Sequence, residues 1–290
     1  MSTPQAAIFN VNPPIAHAFE GVLRDAGSAH EVAAIAAGLH EQFPERVLVA
    51  FGKSMSAALG MQPPLEDFHP VIGSATAPAS QGDLMLWIQG NGVDEVFDSA
   101  LAVRDRLDKF VKFNLEQRCF RYRDNRDLTG FIDGTENPVG EEALQAAVIS
   151  EGPAAGGSVV LSQRWLHNLH AFHAMRVSEQ EEVIGRTKPD SIQLRGDAMP
   201  VDSHVSRTDV EVDGQAMAIF RKSMPFGDSA RHGLYFLAFA CEQRRFEVIL
   251  RRMFGLSGDG IHDRLTEFSH PESGAYWYAP PAEQLRSLLP

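Results

Sequence analysis

The stretch from Leu84 to Phe110, LMLWIQGNGVDEVFDSALAVRDRLDKF, decides how the chain is read. Leu84–Ile88 is a short apolar run bounded by charge and glycine, which suits a strand buried on both faces. Gly90, Asn91 and Gly92 then break the chain. After them Val93, Val96, Phe97, Leu101, Val103, Leu107 and Phe110 recur at roughly helical spacing, so the segment predicts strand, turn and amphipathic helix.

Upstream, Arg46–Phe51 (RVLVAF) is a second strand of the same kind. Downstream the order repeats: Leu234–Ala240 (LYFLAFA) is apolar throughout, and Phe246, Ile249, Leu250 and Met253 mark a helix ending at Gly255. Val159–Leu161, Met217–Phe220 and Ala275–Tyr278 are further strand candidates. The identities of the two halves do not align, so only the element order repeats. Asn137–Gly157, rich in Gly, Ala and Glu, reads as a linker with a short helix from Glu141 to Val148, and the boundary falls near residue 155. Two strand-helix-strand halves packed through their sheets predict an α+β sandwich with helices outside and ligand space near the crevice between halves.

Composition narrows the function. The 290 residues carry 26 Lys+Arg against 38 Asp+Glu, a net charge of −12. That balance repels phosphate backbones, so nucleic acid is not an expected partner. The longest apolar run, Gly233–Cys241, is too short to span a bilayer. Met1–Asn12 lacks the pattern of a secretory leader, and two cysteines, Cys119 and Cys241, make no disulfide framework, so a reducing cytoplasm is the expected setting.

Several motifs carry polar groups suited to chemistry. Gly130–Pro138 reads GFIDGTENP, either an Asp-Gly turn with local hydrogen bonds or a carboxylate held between glycines beside a flat ligand. His167, His170 and His173 stand at i, i+3 and i+6, which on a helix puts the outer two about 120° apart, poor geometry for a metal. They read as partly exposed helix histidines, or as one that touches a ligand's edge. His204, in DSHVSRTD between a polar loop and a strand-like stretch, is either a structural residue or an axial ligand. Arg207 suits a carboxylate or a propionate. Arg221, in IFRKSMPFG, either enters a buried space or reaches solvent, as Lys222 is expected to do.

Taken in order, GFIDGTENP, QRWLHNL (163–169), EVIGRTKPDS (182–191), DSHVSRTD and IFRKSMPFG resemble the dye-decolorizing peroxidase family, most closely its compact bacterial B-type branch. The likeness is strongest over 120–280. It implies two ferredoxin-like halves, antiparallel sheets packed together with helices outside (the dimeric α+β barrel type), divided as 1–154 and 155–290. It also implies haem b (iron protoporphyrin IX) held mainly by the second half. In its terms Asp133 and Arg221 are the distal catalytic pair, and Gly134, Thr135 and Ser223 beside them are cofactor-binding residues. His204 matches the axial iron ligand, Arg207 a propionate partner and Asp263 the carboxylate behind the histidine. Some relatives carry Asn where Ser223 stands.

The implied activity is reduction of hydrogen peroxide and oxidation of dyes, phenols or other one-electron donors through a ferryl intermediate. The rival reading is a non-enzymatic haem-binding or haem-handling protein, which has no use for a distal acid-base pair. A chlorite-dismutase-like enzyme is a further alternative, opposed by the carboxylate of GFIDG. A homo-oligomer is expected. Shell loading is not, since the chain stops at Leu288, Leu289 and Pro290 without the encapsulation tail of some relatives. Bulky donors are not expected in a peroxide-sized pocket, so Tyr276, Trp277 and Tyr278 read either as surface electron carriers or as core packing.

Overall fold

The computed structural model describes residues 2–10 and 13–290. Met1, Val11 and Asn12, on which the leader reading partly rests, lie outside the described residues. Among the described residues ten strands form one hydrogen-bonded sheet: β1 (Ile15–Leu23), β2 (Val47–Phe51), β3 (Leu84–Gly90), β4 (Val111–Phe120), β5 (Ser158–His167), β6 (Phe220–Arg221), β7 (Met224–Gly227), β8 (His232–Ala240), β9 (Ser269–Pro271) and β10 (Ala275–Ala279). The order is β6-β8-β5-β10-β2-β3-β1-β4, with β7 on β8 and β9 on β5, every pair antiparallel. The two half-sheets meet at one pairing, Tyr278 with Phe51. The path does not close into a ring among the described residues.

From that joint the halves fold over each other. Trp87 of β3 stacks on Tyr235 of β8 at 5.5 Å, and Ala18, Leu48, Val160 and Trp277 join the same inner core. On the outer faces lie helices: α1 (Ala29–Gln42) and α2 (Val93–Leu107) on the first half, and α6 (Arg244–Met253) on the second. Between α2 and α6 come α3 (Gly140–Ala147), α4 (Val177–Ile184) and α5 (His204–Thr208). The fold is therefore α+β with ferredoxin-like halves, sheet against sheet and helices outside.

The central strands are apolar without alternation because both their faces are covered, one by the other half and one by helices. Two local expectations need correction, and one pair of alternatives is decided. Of Met217–Phe220 only Phe220 lies in a strand, because the Met217 amide turns back to the carbonyl of Val210 beside a small hairpin (Glu211–Val212 with Gln215–Ala216). His167 ends β5, and only His170 and His173 are helical, in Leu169–Ala174. Tyr276, Trp277 and Tyr278 are all buried, which removes them as surface carriers. No helix among the described residues is long and apolar enough to cross a membrane.

Candidate active site

His204 opens α5 because Ser203 caps that helix, its hydroxyl accepting from the Ser206 amide at 3.2 Å. The short helix replaces the loop-to-strand passage expected from the sequence. Gly185, at φ +90° after α4, lets the two elements touch: a β-carbon there would lie 2.9 Å from Ser203 Oγ. Behind the imidazole, Nδ1 meets Oδ2 of Asp263 at 2.6 Å. Asp263 is fully buried, and its other oxygen accepts from the Leu265 amide at 2.9 Å. The carboxylate makes Nδ1 the protonated nitrogen. Nε2 has no hydrogen-bond partner among the described residues, and the side chain is 34% exposed.

Asp133 and Arg221 come from separate elements and line one cavity of about 770 Å³, together with Gly134, Thr135 and Ser223. That is far more room than peroxide needs, and it lies within the usual span of small-molecule sites. The Asp133 loop is pinned from several sides. Arg126 donates to the carbonyls of Gly130, Lys188 and Pro189 at 2.8, 2.7 and 2.9 Å, joining two of the sequence motifs. Arg186 reaches Glu136 at 2.8 Å, and Thr135 Oγ1 lies 2.8 Å from Ser191 Oγ. Asn137 ties the loop to Arg221, accepting from its amide at 2.8 Å and donating to its carbonyl at 2.9 Å.

Burial raises the Asp133 carboxyl above its ordinary range; the charge of Arg221 opposes this, Asp127 adds to it, and the Gly134 amide and His204 oppose it. His204 does not line the cavity. Below the loop, burial would also raise Asp127, but the charge and hydrogen bond of His167 and the bonds from Thr129 hold it down at about 2.

Two expected contacts are engaged elsewhere. Arg207 is buried, its guanidinium spent on Asp259 at 2.8 Å, on Ser257 and on the Arg252 carbonyl, so a propionate would have to compete with Asp259. Ser223 Oγ accepts from the Leu237 amide at 3.3 Å. Lys222 is buried and bonded to the Asn10 carbonyl instead of reaching solvent, and burial holds it down to about 7. Nothing in the motif marks Asn137 as the tie to Arg221, because its partner is 84 residues away.

The residues fit a flat, largely apolar cofactor with one metal position. Leu234 and Phe236 are in mid-strand on the outer face of β8, where the matching positions of β3 are sealed, yet both are partly exposed, as is Val248 of α6. Arg221 shares that face, being paired with Ala238. Helix α5, with His204, packs on α6 beside it. Partly exposed apolar side chains near an imidazole with an unpaired nitrogen and on the face that carries an arginine suit haem.

A family model described as Dyp-type peroxidase, C-terminal, matches residues 124–284. A dye-decolorizing peroxidase of Rhodococcus erythropolis is 33% identical over 274 residues, 89% of this chain and 80% of that one. One from Mycobacterium tuberculosis is 35% identical over 81% and 72%. A Mycolicibacterium paratuberculosis relative is 39% identical, but the match spans only 61% of its length. Among solved structures, a dye-decolorizing protein from V. cholerae superposes with a TM-score of 0.87 at 34% identity, covering 98% of this chain and 99% of that one. A DypB variant of Rhodococcus jostii in complex with haem gives 0.89 at 30%, covering 96% of both.

Proposed function

The chain belongs to the dye-decolorizing peroxidase family, a family of haem peroxidases, and from that premise we propose that it reduces hydrogen peroxide at a haem b held by His204, taking electrons singly from dyes, phenols or other aromatic donors. The observation that carries this reading is the convergence of Asp133 and Arg221 on one cavity, since a protein that only carries haem needs neither. Haem, when bound, supplies the redox-active iron at which peroxide is reduced.

The chain's own residues do the rest. Asp263 accepts the Nδ1 hydrogen of His204, which leaves the Nε2 lone pair for the metal and raises its basicity. Asp133, ionised, takes the proton from the near peroxide oxygen, directly or through one water, and delivers it to the departing oxygen. The Arg221 guanidinium stabilises the negative charge that develops there. Asn137 holds the backbone of Arg221 against the Asp133 loop, so the two groups keep their spacing. Gly134, Thr135 and Ser223 shape the cavity wall. Arg207 serves by tying α5 to the 257–259 loop. The resemblance also supports a homo-oligomer, the Gly- and Ala-rich linker supports halves divided near residue 155, and two free cysteines support a reducing, cytoplasmic setting.

The test is spectroscopic. Haem-loaded protein mixed with one equivalent of hydrogen peroxide is expected to change its Soret band, and Asp133→Asn and Arg221→Ala are each expected to slow that change roughly a hundredfold. An unchanged band in the unaltered protein would favour simple haem binding and end the peroxidase reading.

A further inference from the structure

Between the half-sheets, in a core otherwise built mostly of apolar side chains, a carboxyl and a phenol meet. Tyr235 donates to Oε1 of Glu20 at 2.6 Å, and both residues are buried. A buried carboxyl is costly even when paired, and apolar residues would fill the same space more cheaply. The strand is shaped for the contact: the pairing of β1 with β4 shifts register between Glu20 and Gly21, and such bulges re-aim a side chain. On its other side Tyr235 stacks on Trp87, ring planes 20° apart. Met224, directly opposite Tyr235 on the neighbouring strand, shares the inner face and lines the cavity that holds Asp133 and Arg221. Side chains opposed in this way stand about 5 Å apart. Met224 thus links the position of Tyr235 on the sheet to the wall of that cavity.

We propose that Tyr235 is an internal one-electron donor to the peroxide-oxidised site, with Glu20 as acceptor of its phenolic proton and Trp87 stacked on its ring. This inference rests on the peroxidase reading. In the step the Tyr235 O–H bond breaks, the proton goes to Glu20 and one electron goes to the site that peroxide has oxidised. A neutral phenoxyl and a carboxylic acid remain. An external donor then returns one electron, and Glu20 returns the proton. Burial and the Glu20 charge push the phenol well above its ordinary range, so it does not ionise beforehand. Burial also raises Glu20, against the bonds from Tyr235 and Ser162 and the charge of Arg164, which makes it a stronger base than an exposed carboxylate.

Haem-loaded protein is mixed with one equivalent of hydrogen peroxide, without a donor, and frozen at intervals for electron paramagnetic resonance while the Soret band is followed. The expected result is a tyrosyl signal that grows as the Soret band recovers, is lost in Tyr235→Phe and falls several-fold in Glu20→Gln. Glu20→Gln keeps the volume and an accepting oxygen, and so serves if Tyr235→Phe fails to fold. A signal of undiminished size in Tyr235→Phe, or no signal although the Soret band changes, overturns the inference and leaves the peroxidase reading standing. An undiminished signal in Glu20→Gln removes Glu20 as the proton acceptor. No Soret change in the unaltered protein overturns both.

Discussion

Asp133 sits under opposed influences whose balance sets the pH at which it works. Burial raises its carboxyl and Arg221 is the chief opposing charge, so the base is lost on acidification at a higher pH than an exposed aspartate would be. The rate of the peroxide-driven Soret change should therefore fall as pH drops through a value above 3.8, the ordinary carboxyl figure. Arg221→Leu removes the opposing charge and should move that acid limb to higher pH, besides slowing the reaction; Asp133→Asn should abolish the limb. Stopped-flow rates across the acidic range check both, and an acid limb retained by Asp133→Asn would assign it to another group. Asp133, His204 and Arg221 stand out as candidates in the sequence because each lies in a motif of distinctive neighbours. The engagement of Arg207 was not, since Asp259 lies 52 residues away in a glycine-rich loop that resembles any other exposed turn. Glu20 was equally hidden: an isolated acidic residue in sequence carries no sign of a tyrosine 215 residues on.

At the level of elements, α5 depends on a glycine outside it. Gly185→Ala forces a left-handed backbone on alanine and brings its β-carbon within 2.9 Å of Ser203 Oγ and 3.0 Å of Val205. Strain and crowding together should cost about 1–3 kcal/mol and shift the helix that presents His204. Urea unfolding reads the first effect, and faster loss of haem to apomyoglobin reads the second. Strand β6 shows another dependence: it ends the sheet path, and Asn137 supplies the amide partner that a further strand would have given. β2 and β3, covered on both faces, stood out as apolar runs, and so did β8, whose outer face is apolar although only half covered at Leu234 and Phe236. β4 did not, because Lys112, Glu116 and Arg118 interrupt it on its open face. Helix α1 was missed as well: its buried face is largely alanine, which contrasts little with its surroundings.

For the whole molecule, the inner faces of the halves form one apolar seam, with Trp87 contributed by one side and Trp277 by the other. The termini stitch it further: Gln5 donates to the Pro280 carbonyl at 2.9 Å, and Arg286 pairs with Glu41. Separating the halves would expose both faces, so the chain should unfold in one step. Tryptophan fluorescence and far-ultraviolet circular dichroism should give coincident urea transitions, and a fragment of residues 1–154 should show no cooperative transition of its own. Two resolved transitions would mean independent halves. Strand β8 also gives one face to this seam and the opposite one to the apolar side chains near His204. One backbone thus serves two neighbours, so a shift of β8 caused on the seam side is passed directly to the face beside His204.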